Sequence, residues 1–93
     1  MNEKVRAHLI VSGRVQGVFF RAETQEKAKE LGVFGWVKNI AEGRVEAVFE
    51  GEKTKVEQLV KWAESGPPGA VVNDLNVVWK EYQGEFNGFE IRY

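Results

Sequence analysis

Cysteine is absent from the chain, histidine and aspartate occur once each (His8 and Asp74), and the only prolines are the adjacent Pro67 and Pro68. Without cysteine there are no disulfide staples, no thiolate zinc site and no cysteinyl-phosphate chemistry, which fits a reducing compartment. Binuclear metal phosphatases and histidine-dependent hydrolases gather several Asp or His groups on one site. With one of each available, the expectation is a protein that works without metal, thiol or imidazole. No apolar run approaches the roughly 20 residues that cross a bilayer, and Met1-Asn2-Glu3-Lys4 leads into a strand-like pattern with no signal-peptide core. Charge of one sign is missing too. Thirteen basic residues stand against 14 acidic ones, and a net charge of −1 leaves no electrostatic footprint for nucleic acid or an anionic membrane.

What is present is an ordinary globular composition, 43% hydrophobic and 29% charged over 93 residues. A chain this short forms one domain, residues 1–93, and buries only about 60–65% of its unfolded surface. A cytoplasmic protein is expected, and nothing in the sequence demands more than a monomer.

Val5, Ala7, Leu9 and Val11 alternate with Arg6, His8, Ile10 and Ser12, the period of a strand with one buried face. The loop from Gly13 to Val18 follows. Phe20, Thr24, Ala28 and Leu31 then share a stripe at helical spacing, and Gly32 stands where a left-handed glycine ends a helix. Residues 33–39 and 44–50 read as strands joined by the short connector Ile40-Ala41-Glu42-Gly43, with Val45, Ala47 and Phe49 on one face and a solvated Glu46 and Glu50 opposite. A second helix is expected over 54–65, ended by Gly66-Pro67-Pro68-Gly69, then a strand over 71–82 and a short last one through Phe89, Ile91 and Tyr93. Trp36, Trp62 and Trp79 are expected in the core or at its margin. The order βαββαβ, with right-handed crossovers, places both helices on one face of the sheet. The fold class is therefore α+β, a ferredoxin-like α/β sandwich with an antiparallel sheet, and that fold alone does not specify an activity.

Chemistry concentrates between Gly13 and Arg21. A strand runs through two glycines into a helix start, and helix-initial amides are unsatisfied donors at the positive end of the dipole. Such a loop can hold a phosphate or carboxylate, although Gly13 and Gly17 also suit a plain turn. Arg21 lies in the first helical turn, where a cation opposes the dipole unless a bound anion joins the two; a casual surface ion pair is the other reading. Asn39 is a favoured turn residue, yet topology could bring its amide to the loop after the first strand, where it would hold a water facing a bound phosphate. His8 reads as structural, Arg14 as solvated, and Ser12 lacks a base to activate it.

Gly13-Arg14-Val15-Gln16-Gly17-Val18-Phe19-Phe20-Arg21, followed by Leu31-Gly32-Val33-Phe34-Gly35-Trp36-Val37-Lys38-Asn39 and Gly43-Arg44-Val45-Glu46, closely resembles the acylphosphatase family. The similarity runs over essentially the whole chain, including Ser65-Gly66-Pro67-Pro68 and the closing Phe89-Glu90-Ile91-Arg92-Tyr93. It implies an enzyme that hydrolyses acyl phosphates to a carboxylate and inorganic phosphate without metal or cofactor. By the same resemblance Arg21 matches the phosphate-binding arginine and Asn39 the water-positioning asparagine. The backbone amides of Val15, Gln16, Gly17, Val18 and Phe19 match the phosphate cradle. The chain departs from the family pattern at Val33, Phe34 and Phe19, the last at a position often held by glycine, and none of these is a proposed catalytic side chain.

Two other classes share the element order. An RNA-binding module needs aromatics on the two central strands, but the first strand has none, and Phe49 in the third faces the helices. A non-catalytic anion-binding or regulatory domain would use the same loop; the chain is expected to be complete at one domain, and that expectation favours a free-standing enzyme.

Overall fold

The computed structural model describes residues 3–93. Its elements are β1 (Lys4–Arg14), α1 (Phe20–Leu31), β2 (Phe34–Ile40), a 3-10 turn (Ala41–Gly43), β3 (Arg44–Glu52), α2 (Lys53–Ala63), β4 (Val71–Lys80) and β5 (Phe89–Arg92). The strands form one sheet in the order β4-β1-β3-β2-β5. Neighbours among β4, β1, β3 and β2 pair antiparallel, as expected of the ferredoxin-like sandwich, whereas β5 adds to the edge parallel to β2. Among the described residues no helix is long and apolar enough to cross a membrane.

Alternation decides which face of the sheet carries the helices. Ala7, Leu9 and Val11 of β1 and Val45, Ala47 and Phe49 of β3 point into the core. The helices meet them with Phe20, Thr24 and Ala28 of α1 and with Val56, Leu59, Val60 and Ala63 of α2. Phe20 and Trp62 join the helices, their ring centroids 5.7 Å apart. Helix α1 stops where its sequence says it should. Gly32 is left-handed, its N–H bonds Lys29 O at 3.3 Å, and the N–H of Val33 bonds Ala28 O at 2.8 Å. That pair of bonds satisfies carbonyls the helix end would otherwise leave open. Phe49 is fully buried, so β3 offers no aromatic for base stacking.

The other face of the sheet is less solvated than its residue types suggest. Glu50, expected in water, is only 2% exposed. Its carboxylate accepts from Arg6 Nη1 at 3.0 Å, from the N–H of Gln83 at 2.8 Å and from the N–H of Gly84 at 3.2 Å. Arg6 also donates to Glu85 at 2.6 Å and lies 5.3 Å from the Phe86 ring. Burial alone would lower the pKa of Arg6, but the bonds from Glu85 and Glu50 outweigh it and leave the value raised. Glu46 is likewise bonded, to His8 Nε2 at 2.7 Å, which gives His8 the structural role its isolation suggests. Of the three tryptophans only Trp62 packs against the core; Trp79 is half exposed and Trp36 lies between the cations of Lys38 and Arg92.

Glu50 thus ties the segment 81–88 across the sheet and so delivers β5 to the edge beside β2. Removing one member of a buried, hydrogen-bonded ion pair leaves the others unsatisfied and costs roughly 3–5 kcal/mol. Glu50→Ala is therefore expected to destabilise the fold by about 3 kcal/mol in urea denaturation. A loss below about 1 kcal/mol would mean that segment 81–88 is held by other contacts.

Candidate active site

The ladder between β1 and β4 shifts register between Ser12 and Gly13, and the chain turns there into the loop. Gly13 has φ 124°, and a Cβ on it would lie 2.1 Å from Val71 O, so no side chain fits this approach of β1 to β4. The loop is anchored at both ends by buried apolar groups, Val15 and Phe20. Between them Gly17 takes φ 74°, and Phe19 takes φ 62°, ψ 24°. The left-handed region costs a residue other than glycine about 1–2 kcal/mol. Phe19 is 78% exposed, and no side chain caps the first turn of α1. Among the described residues no hydrogen bond takes an N–H of residues 15–19 as donor; the first bond of the helix runs from the N–H of Glu23 to Phe19 O. A row of unpaired amides at the positive end of a helix is suited to an anion.

The loop borders a cavity of about 300 Å³ whose walls include Gly17, Phe19, Arg21, Asn39, Ile91 and Tyr93. Arg21 and Asn39, 18 positions apart in sequence, therefore meet in one cavity. Arg21 stands in the first turn of α1 with its Cζ 5.0 Å from the Tyr93 ring, and among the described residues it pairs with no carboxylate. Asn39 shares a strand face with the buried Val37, which turns its amide toward the helix side of the sheet. Its Oδ1 is buried and has no hydrogen-bond partner among the described residues. A buried unsatisfied carbonyl costs about 1–3 kcal/mol.

Gln16 connects these parts. Its Nε2 donates to Ile40 O and to Arg44 O, both at 3.0 Å, so the loop is bolted to the turn between β2 and β3 directly beyond Asn39. The side chains of Gln16 and Val18 do not line the cavity. The first reaches the hairpin, and the second packs on the core. Arg14 is exposed, in keeping with a solvated side chain.

Three features go beyond the sequence reading. The side-chain bonds of Gln16 depend on carbonyls 24 and 28 positions away, and no local pattern reports them. Ile91 and Tyr93 enter the cavity wall because β5 pairs with β2, which the alternation of 89–93 does not specify. The left-handed conformation of Phe19 has no signal in its residue type. Among the described residues no Asp, Glu or His side chain lines the cavity. Nor, among the described residues, do three His, Asp or Glu side chains cluster anywhere as metal ligands. A larger groove of about 840 Å³, bordered by Arg6, Trp36 and Phe86, contains neither Arg21 nor Asn39.

Known proteins match this chain in sequence and fold. Residues 7–91 fit the description of the Acylphosphatase family. A protein named acylphosphatase from Anaeromyxobacter sp. (strain Fw109-5) is 54% identical over 93 residues, the whole of both chains. Another, from Pelotomaculum thermopropionicum, is 52% identical over 90 residues, 97% of this chain and 98% of its own. The solved structure of an acylphosphatase from Coxiella burnetii superposes with a TM-score of 0.91 at 41% identity, over 98% of this chain and 94% of that one. The similarity in sequence and fold thus spans nearly the full length, and the chain belongs to the acylphosphatase family of hydrolases.

Proposed function

We propose that residues 1–93 form a single catalytic domain that hydrolyses acyl phosphates by attack of water at phosphorus. Arg21 and the backbone amides of Val15, Gln16, Gly17, Val18 and Phe19 hold the phosphoryl oxygens, and Asn39 positions the water. The observation that carries this reading is the cavity shared by Arg21 and Asn39, with Asn39 Oδ1 buried and unpartnered. A water seated against Oδ1 supplies the missing donor and points an oxygen lone pair at the bound phosphoryl group.

The step balances with these groups alone. The water oxygen forms a bond to phosphorus as the bond from phosphorus to the acyl oxygen breaks, and the electron pair leaves with the carboxylate. Carboxylic acids have pKa values near 4, so this leaving group departs as an anion and needs no general acid. Among the described residues no Asp, Glu or His side chain lines the cavity, and the proton of the water passes to an oxygen of the phosphoryl group itself. Phosphoryl transfer proceeds through a loose transition state, so positioning and charge stabilisation supply most of the acceleration. Arg21 serves both. It stands beside the free amides of the helix start, where its charge is unfavourable until an anion arrives between them.

The reading also takes the enzyme to be independent of metal and cofactor, a monomer and cytoplasmic, with no nucleic acid or membrane as partner. The net charge of −1 supports the absence of a polyanionic partner.

Hydrolysis of benzoyl phosphate in the presence of EDTA tests the assignment. Wild-type protein is expected to turn over at a rate the chelator does not change. Arg21→Ala is expected to lose about 3 kcal/mol of transition-state stabilisation, a fall of roughly 10²–10³ in kcat/KM. Near-wild-type activity in that variant would place the phosphate elsewhere. Asn39→Ala is expected to lose turnover while direct binding of inorganic phosphate, measured by calorimetry, persists. Equal loss of turnover and phosphate binding would mean that Asn39 shapes the loop and does not position water.

A further inference from the structure

We propose that Phe19 is a specificity-determining residue whose ring receives the acyl group, so that the enzyme prefers acyl phosphates bearing flat aromatic or extended apolar chains over acetyl phosphate. The inference rests on the proposed reaction and adds the identity of the group that leaves.

The fold itself does not account for where this ring is placed. Phe19 is held in left-handed geometry, is 78% exposed, and stands outside the set of side chains that build the core. Isolated apolar residues are common on protein surfaces. This one differs because it combines a strained backbone with a place on the wall of the cavity that holds Arg21 and Asn39. Its N–H is free for the cradle while its side chain borders the opening.

The direction of the reaction then assigns the ring a use. Displacement at phosphorus is in line, with attacking and leaving oxygens on opposite sides. The water sits against Asn39 Oδ1, which is buried and unpartnered among the described residues, whereas Phe19 on the same cavity wall is 78% exposed. The acyl oxygen leaves on the side away from that buried atom, and the exposed rings on the cavity wall are those of Phe19 and Tyr93. Tyr93, at 97% exposure, lies with its ring 5.0 Å from the guanidinium of Arg21 and bounds the same opening. A cavity of about 300 Å³ is at the lower limit for small-molecule sites, with room for a phosphoryl group and a compact acyl chain. An apolar chain laid against the phenyl ring removes surface from water on both partners, whereas acetyl is too short to cover it.

Straight-chain acyl phosphates test this directly, because acetic, butanoic and hexanoic acids are of nearly equal acidity and the leaving-group chemistry stays constant. In the purified full chain kcat/KM is expected to rise about tenfold from acetyl to hexanoyl phosphate, as methylenes become partly buried. Phe19→Gly, which accepts the left-handed φ without strain, is expected to flatten the series to within about twofold, and Phe19→Tyr to preserve it. If glycine loosens the loop so far that turnover is lost, Phe19→Asn, which tolerates this geometry, carries the same expectation. Because each protein is compared only with itself along the series, a uniform loss from a disturbed loop leaves the slope unchanged. A flat series in the wild type, or an unchanged slope in the glycine or asparagine variant, would overturn the role of Phe19. Failure of the wild type to hydrolyse any member would instead overturn the proposed reaction, and this assignment with it.

Discussion

Both protons of the Gln16 side-chain amide are donated across the molecule, to the carbonyls of Ile40 and Arg44 at 3.0 Å each. Those two bonds decide how the loop after β1 sits against the hairpin of β2 and β3, and the meeting of Arg21 with Asn39 follows from that placement. The loop carries the free amides and leads into Arg21, while the hairpin carries Asn39. Neither element has the other as its neighbour in sequence, and the β-sheet alone sets only the strands, leaving the loop free to swing. A donor pair saturated by two carbonyls is a stiff connection, because releasing it leaves two acceptors unsatisfied at about 1–3 kcal/mol each.

The opposite wall of the cavity depends on a second polar anchor. Glu50 accepts from Arg6 and from two backbone N–H groups of segment 81–88, and the segment so held lays β5 along β2. Ile91 and Tyr93 reach the cavity by this route. A domain of this size buries too little surface to rely on apolar packing alone, so a few saturated polar contacts carry much of its specificity of structure. Backbone strain is tolerated next to them at Phe19, in a loop whose ends are pinned by Val15 and Phe20 in the core.

Much of this was legible in the sequence, and the reasons are physical. Period-two alternation in β1 and β3 and the 3.6-residue stripe in α1 come from burial on one face, so the residues themselves report them. The glycine loop ending in Arg21 suited a plain turn as well as an anion site, and only the resemblance of residues 13–21 to the acylphosphatase family chose between them. Contacts between distant segments were less accessible. Glu50 sits on the face that alternation assigns to solvent, and it is buried only because residues 83–86 fold over it. The parallel pairing of β5 with β2 depends on that same segment, so the alternation of Phe89, Ile91 and Tyr93 indicated a strand without indicating its neighbour. Asn39 had the strongest local reading as a turn residue. Its unpartnered Oδ1 becomes visible only when the surrounding chain is in place.

The atom that the water attacks distinguishes the proposed mechanism from acyl transfer. A water aligned by Asn39 on a phosphoryl group cradled by the loop must end as an oxygen of inorganic phosphate, whereas attack at the acyl carbon would place it in the carboxylate. Hydrolysis of benzoyl phosphate in oxygen-18 water, with both products analysed by mass spectrometry after a single turnover, separates the two. Label in the phosphate with unlabelled benzoate is the predicted result. Label in the benzoate would contradict the proposed roles of Asn39, Arg21 and the loop amides together.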